Sequence, residues 1–404
     1  MAKRKKKRSG GGFGKPKPAT RGGGQEPEII DRTRRGEPTL KLIERILENK
    51  EFESEEAMQH FFENELLQKS PEDLLAMADE IVPPTDAEKA ERLLNDLPDD
   101  CTIGDVLEAA HAAIAHAPDC IAAWLMLGVH EPDEAKALEY TDKGIERATA
   151  LFQDEIENIH DDLGLWGNIA TRDLLRLLAN KARLHEETPG GFELAEAAYR
   201  QCLAWNANDN VGIRGNLLRL MMVQRRIDEA QALVEAFPDD SSTVMIWGGA
   251  LLAIVQAIDR TGYDPPESDL ADQYPSPRAY LDTLGPEFDE AKHCVRKAAR
   301  ANPFVPYIIT EPGLFEVDVP GMIVANGPFE AVEYLQKWAV VWQIAGLPMV
   351  MLTDSLPKNL ESQIKGRGMA QEIVEIAGQL DEYDGPGWWQ VLHDQVAENE
   401  KPGS

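Results

Sequence analysis

Apolar residues recur at helical spacing from about residue 38 onward. Leu40, Ile43, Ile46 and Leu47 share one face of a 3.6-residue period, and Phe61-Phe62 and Leu66-Leu67 continue it. Leu74-Leu75 resume the pattern after Ser70-Pro71, a capping serine followed by a proline suited to a first helical turn. The periodicity runs on to about residue 380, broken at Pro, Gly and Asn-Asp clusters, and no stretch alternates polar and apolar residues around a hairpin turn. The pattern predicts an all-α protein. Two apolar stretches, 244–258 and 338–352, are each about 15 residues long and fall short of the ~18 to 20 needed to cross a bilayer, so both are expected to be core helices.

A short word repeats along the helical part: a turn or apolar residue, an acidic pair, then alanine. It stands at Pro132-Asp133-Glu134-Ala135, Ile227-Asp228-Glu229-Ala230 and Phe288-Asp289-Glu290-Ala291, with looser copies at Phe192-Glu193-Leu194-Ala195 and Phe329-Glu330-Ala331. The alanines at 135, 195, 230, 291 and 331 are 60, 35, 61 and 40 residues apart. One interval fits a tetratricopeptide period, one is slightly long, and two are a repeat with extra chain; a proline-dense insertion at about 261–286 accounts for the second surplus. In such repeats two helices pack antiparallel, which calls for small side chains where they touch and large ones where the next repeat docks. Ala195, Ala198, Tyr199, Cys202 and Leu203 form such a face, and Trp124-x-x-Leu127-Gly128 fits the opening of a first helix. Pro118-Asp119, Asn208-Asp209-Asn210, Pro238-Asp239-Asp240 and Asn302-Pro303 end one helix and cap the next. The expected architecture is a tetratricopeptide-like α-solenoid of antiparallel helical hairpins, with a generic helical bundle as the alternative.

Three segments carry a narrower likeness: Asn208-Asp209-Asn210-Val211-Gly212-Ile213-Arg214, Phe237-Pro238-Asp239-Asp240-Ser241-Ser242 and Ala301-Asn302-Pro303-Phe304-Val305-Pro306-Tyr307. In that order, and with Gly327-Pro328-Phe329-Glu330-Ala331 and Trp342 after them, they resemble the suppressor-of-tumorigenicity-seven family and its soluble bacterial tetratricopeptide relatives over residues 190–350. The resemblance implies a tetratricopeptide-like fold without known catalytic residues or a defined ligand. Ala207 stands where that pattern has a proline, the membrane segments of the animal members are missing, and the end of the chain lacks the cysteine-rich zinc motif of some bacterial members.

Charge divides the chain. Residues 1–36 hold 12 Lys+Arg against 3 Asp+Glu, a balance of +9, and the remaining 368 residues hold 29 against 68, a balance of −39. A segment so poor in large apolar residues cannot offset its folding entropy, so 1–36 reads as a disordered basic tail. It is followed by an N-terminal helical region at 37–98, the repeats at 99–350, a C-terminal helix at 351–380 and a flexible acidic tail at 381–404. Lys3, Arg4, Lys5, Lys6, Lys7 and Arg8 form the polyanion-binding part of the basic tail, able to make weak RNA contacts. Its Gly10-Gly11-Gly12-Phe13-Gly14-Lys15-Pro16 is not a phosphate loop, because Pro16 follows the lysine where Ser or Thr must bind magnesium. The start lacks the apolar core of a secretory signal. The four cysteines are dispersed and the histidines lack zinc spacing, so neither disulfides, metal nor cofactor is expected and the location is read as cytoplasmic.

The most suggestive constellation lies on a helix expected from Trp166 to Arg183. Asn168, Arg172, Arg176, Asn180 and Arg183 are spaced 4, 4, 4 and 3 and share one face, and Asn210, Arg214 and Asn216 lie near the start of the next such helix. Arg and Asn lining a groove hold peptide carboxylates through charge-assisted hydrogen bonds, so these eight are the candidate peptide-binding residues. The same arginines would instead be structural if they neutralise nearby acids such as Glu193 and Glu196. No nucleophile–base arrangement is legible, and the chain reads as a non-enzymatic protein- or peptide-binding scaffold, with an RNA- or ribosome-associated factor as the alternative. Deleting residues 1–36 is expected to leave helicity and Tm of the rest unchanged; a clear loss of either in circular dichroism would show that the tail docks.

Overall fold

A computed structural model describes residues 36–98, 101–160, 163–263, 279, 282–309, 317–319, 323–345 and 376. The basic residues 3–8, most of the 261–286 insertion, the expected C-terminal helix apart from Ile376, and residues 381–404 lie outside the described residues. Among the described residues the chain is all-α, with no strand.

The first three helices are α1 (Glu37–Asn49), α2 (Glu55–Phe61, extended by a π turn over Phe62–Leu66) and α3 (Pro71–Ile81). Ser54 and Ser70 cap α2 and α3 by accepting from Ala57 N and Asp73 N, and Pro71 takes the first helical position, as the sequence indicates. Ile43, Ile46, Phe61, Leu66, Leu74 and Ala78 form a small core of their own. A second core joins α4 (Asp86–Asn95), α5 (Ile103–His116) and α6 (Ile121–His130) through Ala90, Leu94, Ala110, Ala113 and Leu127. The apolar division therefore falls between Ile81 and Asp86, earlier than the boundary near residue 98 read from the sequence. The Pro83-Pro84 pair holds that joint out of helix, and a Thr85–Glu88 capping box starts α4 afresh.

The remaining helices share one continuous core. They are α7 (Glu134–Leu151), the short α8 (Gln153–Glu157), α9 (Arg172–Glu187), α10 (Phe192–Trp205), α11 (Arg214–Val223), α12 (Ile227–Ala236), α13 (Thr243–Thr261), α14 (Asp289–Ala301), α15 (Val305–Ile308) and α16 (Pro328–Ala345). Setting α8 aside, each helix from α4 to α14 packs against the next in sequence; α9 also touches α6, and α16 lies across α11 and α13. Helices approach closely where side chains are absent: a Cβ on Gly144 of α7 would stand 2.8 Å from Trp124 Cβ on α6 and 2.9 Å from Leu177 Cδ1 on α9. The 19-residue α13 is long and apolar enough by composition to cross a membrane, yet Met245, Trp247, Leu251, Leu252, Ile254 and Val255 are buried against its neighbours.

Two details of the sequence reading change. The helix expected from Trp166 begins at Arg172. Before it, 3-10 turns span Gly164–Gly167 and Ile169–Thr171, because Gly164 takes a left-handed φ of 52° and the Asn168 side chain accepts from Ala170 N. Thr171 Oγ1 also donates to the carbonyls of Leu165 and Asn168, which keeps this stretch out of α9. The second change is one of register. Ala195, Ala230, Ala291 and Ala331 are fully buried, but Ala135 is exposed and Ala137 is the buried counterpart. Asp133 caps α7 by accepting from Lys136 N, so its acidic pair starts two positions earlier in the helix than the pair at Asp228-Glu229, where α12 has already begun. Ala137→Trp is expected to lower stability by ~1 to 3 kcal/mol through overpacking, while Ala135→Trp changes it by less than about 0.5 kcal/mol. Urea titrations of the two variants check this; equal losses would contradict the register.

Candidate functional site

Arg172 and Arg176 lie one turn apart at the start of α9, under the first turn of α1. Glu37, the first residue of α1, follows Gly36, whose φ of 83° lets the chain turn sharply into the helix. Its carboxylate reaches both arginines. Arg176 Nη2 donates to Oε1 at 2.7 Å and Nη1 to Oε2 at 2.8 Å, the parallel fork that makes an arginine–carboxylate pair both strong and directional. Arg172 Nη1 donates to Oε1 at 3.0 Å and its Nε to Trp166 O at 2.9 Å. Arg176 Nη1 also donates to Asp173 Oδ1 at 2.7 Å. The Trp166 ring lies under both guanidinium groups, at 4.6 and 5.4 Å from its centroid, adding a cation–π contact. Two arginines face two carboxylates, and the side chains of Arg176 and Glu37 are only 2% and 5% exposed. Burial of that degree decides the energetics. Desolvation makes the intact pair of modest net value, but removing one partner leaves a buried charge and costs ~3 to 5 kcal/mol.

The other residues of the expected ladder are placed as follows. Asn168 is exposed in the 3-10 segment and caps it. Asn180 is buried between α6, α7 and α9, where its Nδ2 donates to Gly128 O at 3.0 Å and Thr141 Oγ1 at 2.9 Å. Arg183 donates to Asn180 Oδ1 and pairs with Glu187. Arg172, Arg176, Asn180 and Arg183 thus do form one line on α9, but its middle turns inward. Arg214 sits apart from this line. Its Nε is 2.6 Å from Asp240 Oδ2, its guanidinium covers the Phe237 ring, and Asp209 beside it accepts from Ile213 N and Arg214 N. Asn210 is exposed in the turn before α11, and Asn216 is half-buried within it. Glu196 pairs with Arg200 and Arg226, so the acids facing the ladder are Glu37 of α1 and Asp173 and Glu187 of α9 itself.

Charge also governs how α1–α3 join the later helices. Among the described residues the side-chain hydrogen bonds across that joint are Lys41–Glu91, Arg45–Glu88, Arg92–Asp79 and the Glu37 fork. Among the described residues no buried apolar cluster bridges it: the cores on the two sides are separate. Asp79 takes bonds from Arg92 and Arg45 at once, and these hold its carboxyl below the usual range, Arg92 most strongly. Glu44, further along α1, is pushed up by burial and by Glu48, with Arg172 and Lys41 pulling the other way.

Sequence reasoning missed Glu37, Trp166 and Asp173. Asp173 was within reach, three residues before Arg176 on the same helix. Compared with known proteins, the chain matches no protein-family model and no curated protein sequence.

A depressed carboxyl contributes stability above the unfolded value, near pH 4, and loses it as pH falls through the lower folded value. Stability is therefore expected to drop on acidification below about pH 4, and Asp79→Asn, already lacking that contribution, should show a shallower drop. Tm measured from pH 7 downward tests this; parallel curves for the two proteins would refute a role for Asp79.

Proposed function

We propose that this chain is a non-enzymatic, cytoplasmic scaffold that binds proteins or peptides on tetratricopeptide-like hairpins. The supporting observation is the succession of contacts from α4 to α14, the short α8 aside, with a buried alanine near the start of α7, α10, α12 and α14. A row of hairpins made this way offers an extended surface with many side chains, which suits recognition of another chain better than a compact reaction site. The resemblance to the suppressor-of-tumorigenicity-seven family and its bacterial relatives points the same way. The candidate ligand-holding residues are Arg172, Arg176 and Arg183 on α9 and Asn168 in the exposed turn before it, with Asn210, Arg214 and Asn216 around α11; Asn180 positions Arg183.

The charge contrast favours a second reading, an RNA- or ribosome-associated factor acting through residues 1–36, because a +9 segment on a −39 body concentrates any polyanion affinity there. Capture from native lysate separates the two. Partners retained by the full chain after nuclease treatment, and by the chain lacking residues 1–36, are expected for the scaffold. Retention that needs both RNA and the tail would replace it with the second reading.

A further inference from the structure

We infer that Arg172, Arg176 and Trp166 form a recognition site for an acidic helix of a partner, and that Glu37, carried by the α1–α3 unit, fills this site as an internal competitor. The inference rests on the scaffold reading and adds to it the partner's chemistry and its control. Three observations carry it. The first is the seat itself: the Glu37 carboxylate is held by a bidentate fork, a second arginine and an aromatic floor, although it comes from a segment 135 to 139 residues distant in the chain. Such a seat selects a carboxylate by direction as well as charge.

The second observation concerns attachment. Helices α1–α3 have a core separate from the rest, and the side-chain hydrogen bonds joining them to later helices among the described residues are ionic. A part held this way can leave without opening an apolar core, and all but the buried Glu37 fork is weakened by salt. The third is placement. In sequence the +9 segment 1–36 directly precedes Glu37, so the basic residues of a largely acidic chain are joined to the residue that occupies the site.

The occupant's pattern follows from α1. Glu37 sits in its first turn and Glu44, two turns on, also feels the charge of Arg172, while Ile43 and Ile46 line the apolar face. Ile43 and Ile46 belong to the core shared with α2 and α3, so the site itself reads the acids: a partner helix that takes the place of Glu37 there carries an acid in its first turn and a second acid seven residues later. Glu37 withdraws the arginines from solvent until such a helix displaces it, so the apparent affinity of the resting protein is reduced by the fraction held closed.

The test uses the full chain and a labelled synthetic peptide with the sequence of Glu37–Asn49. Wild type, Glu37→Gln and Glu37→Gln with Arg172→Gln are compared by fluorescence anisotropy, and backbone amide exchange of α1 is followed in the same proteins. Arg172 is chosen over the more deeply buried Arg176 so that the double variant folds. Glu37→Gln is expected to bind the peptide about tenfold or more tightly than wild type, to lose that gain when Arg172 is also changed, and to exchange faster in α1 than wild type while α10 to α12 stay protected. A peptide with Gln in place of its first Glu should bind no better to the variant than to wild type. Unchanged exchange of α1 in Glu37→Gln overturns the competitor. Faster exchange without peptide binding overturns the recognition site, while lysate partners retained by the same variant would leave the scaffold standing.

Discussion

The Glu37 carboxylate, shared between Arg172 and Arg176, connects parts of the molecule that apolar packing leaves separate. Helices α1–α3 bury Ile46, Leu66 and Leu74 among themselves, and the later helices bury their own residues. Among the described residues the side-chain hydrogen bonds that cross between them are ionic, and of these only the Glu37 fork is shielded from water and salt on both sides. Its Coulomb attraction is offset in large part by the cost of drying two charges, so its value lies in placement more than in net stability. It fixes where α1 begins, which way α9 presents its first turn, and where the Trp166 ring lies.

From α4 onward the governing constraint is close approach. Buried alanines near the starts of α7, α10, α12 and α14, and the bare backbone at Gly144, let successive helices meet, while Leu125, Leu174, Leu177 and Trp247 fill the space between them. The turns have their own polar logic. Asn302 Nδ2 donates to Thr243 Oγ1 and Gly327 O while its Oδ1 accepts from Phe304 N, so one buried side chain joins three segments. Asp209, held at a φ of 54°, works more locally, its carboxylate accepting from Ile213 N and Arg214 N to cap the start of α11.

What could be read from the sequence was local. The all-helical class, the serine cap at Ser70 and the repeated acidic-pair word all depend on residues a few positions apart. The register of Ala135 went astray because the same acidic-pair word starts at the N-cap of one helix and inside another, and only capping by Asp133 tells them apart. The helix start at Trp166 went astray because hydroxyl and amide side chains at Thr171 and Asn168 compete with the backbone for hydrogen bonds. The arginine line on α9 was legible as a line. Its partner was not, since no spacing rule links Glu37 to residues more than a hundred positions away.

The account depends on the Glu37–Arg176 fork acting as a pair across that joint. A double-mutant cycle on Glu37→Gln and Arg176→Gln, read by urea unfolding, measures this most directly. Each single change should cost ~3 to 5 kcal/mol, with the double costing at least about 1.5 kcal/mol less than their sum, because the second change removes a charge already stranded by the first. Costs that simply add would mean that the two residues act independently, and would contradict the account.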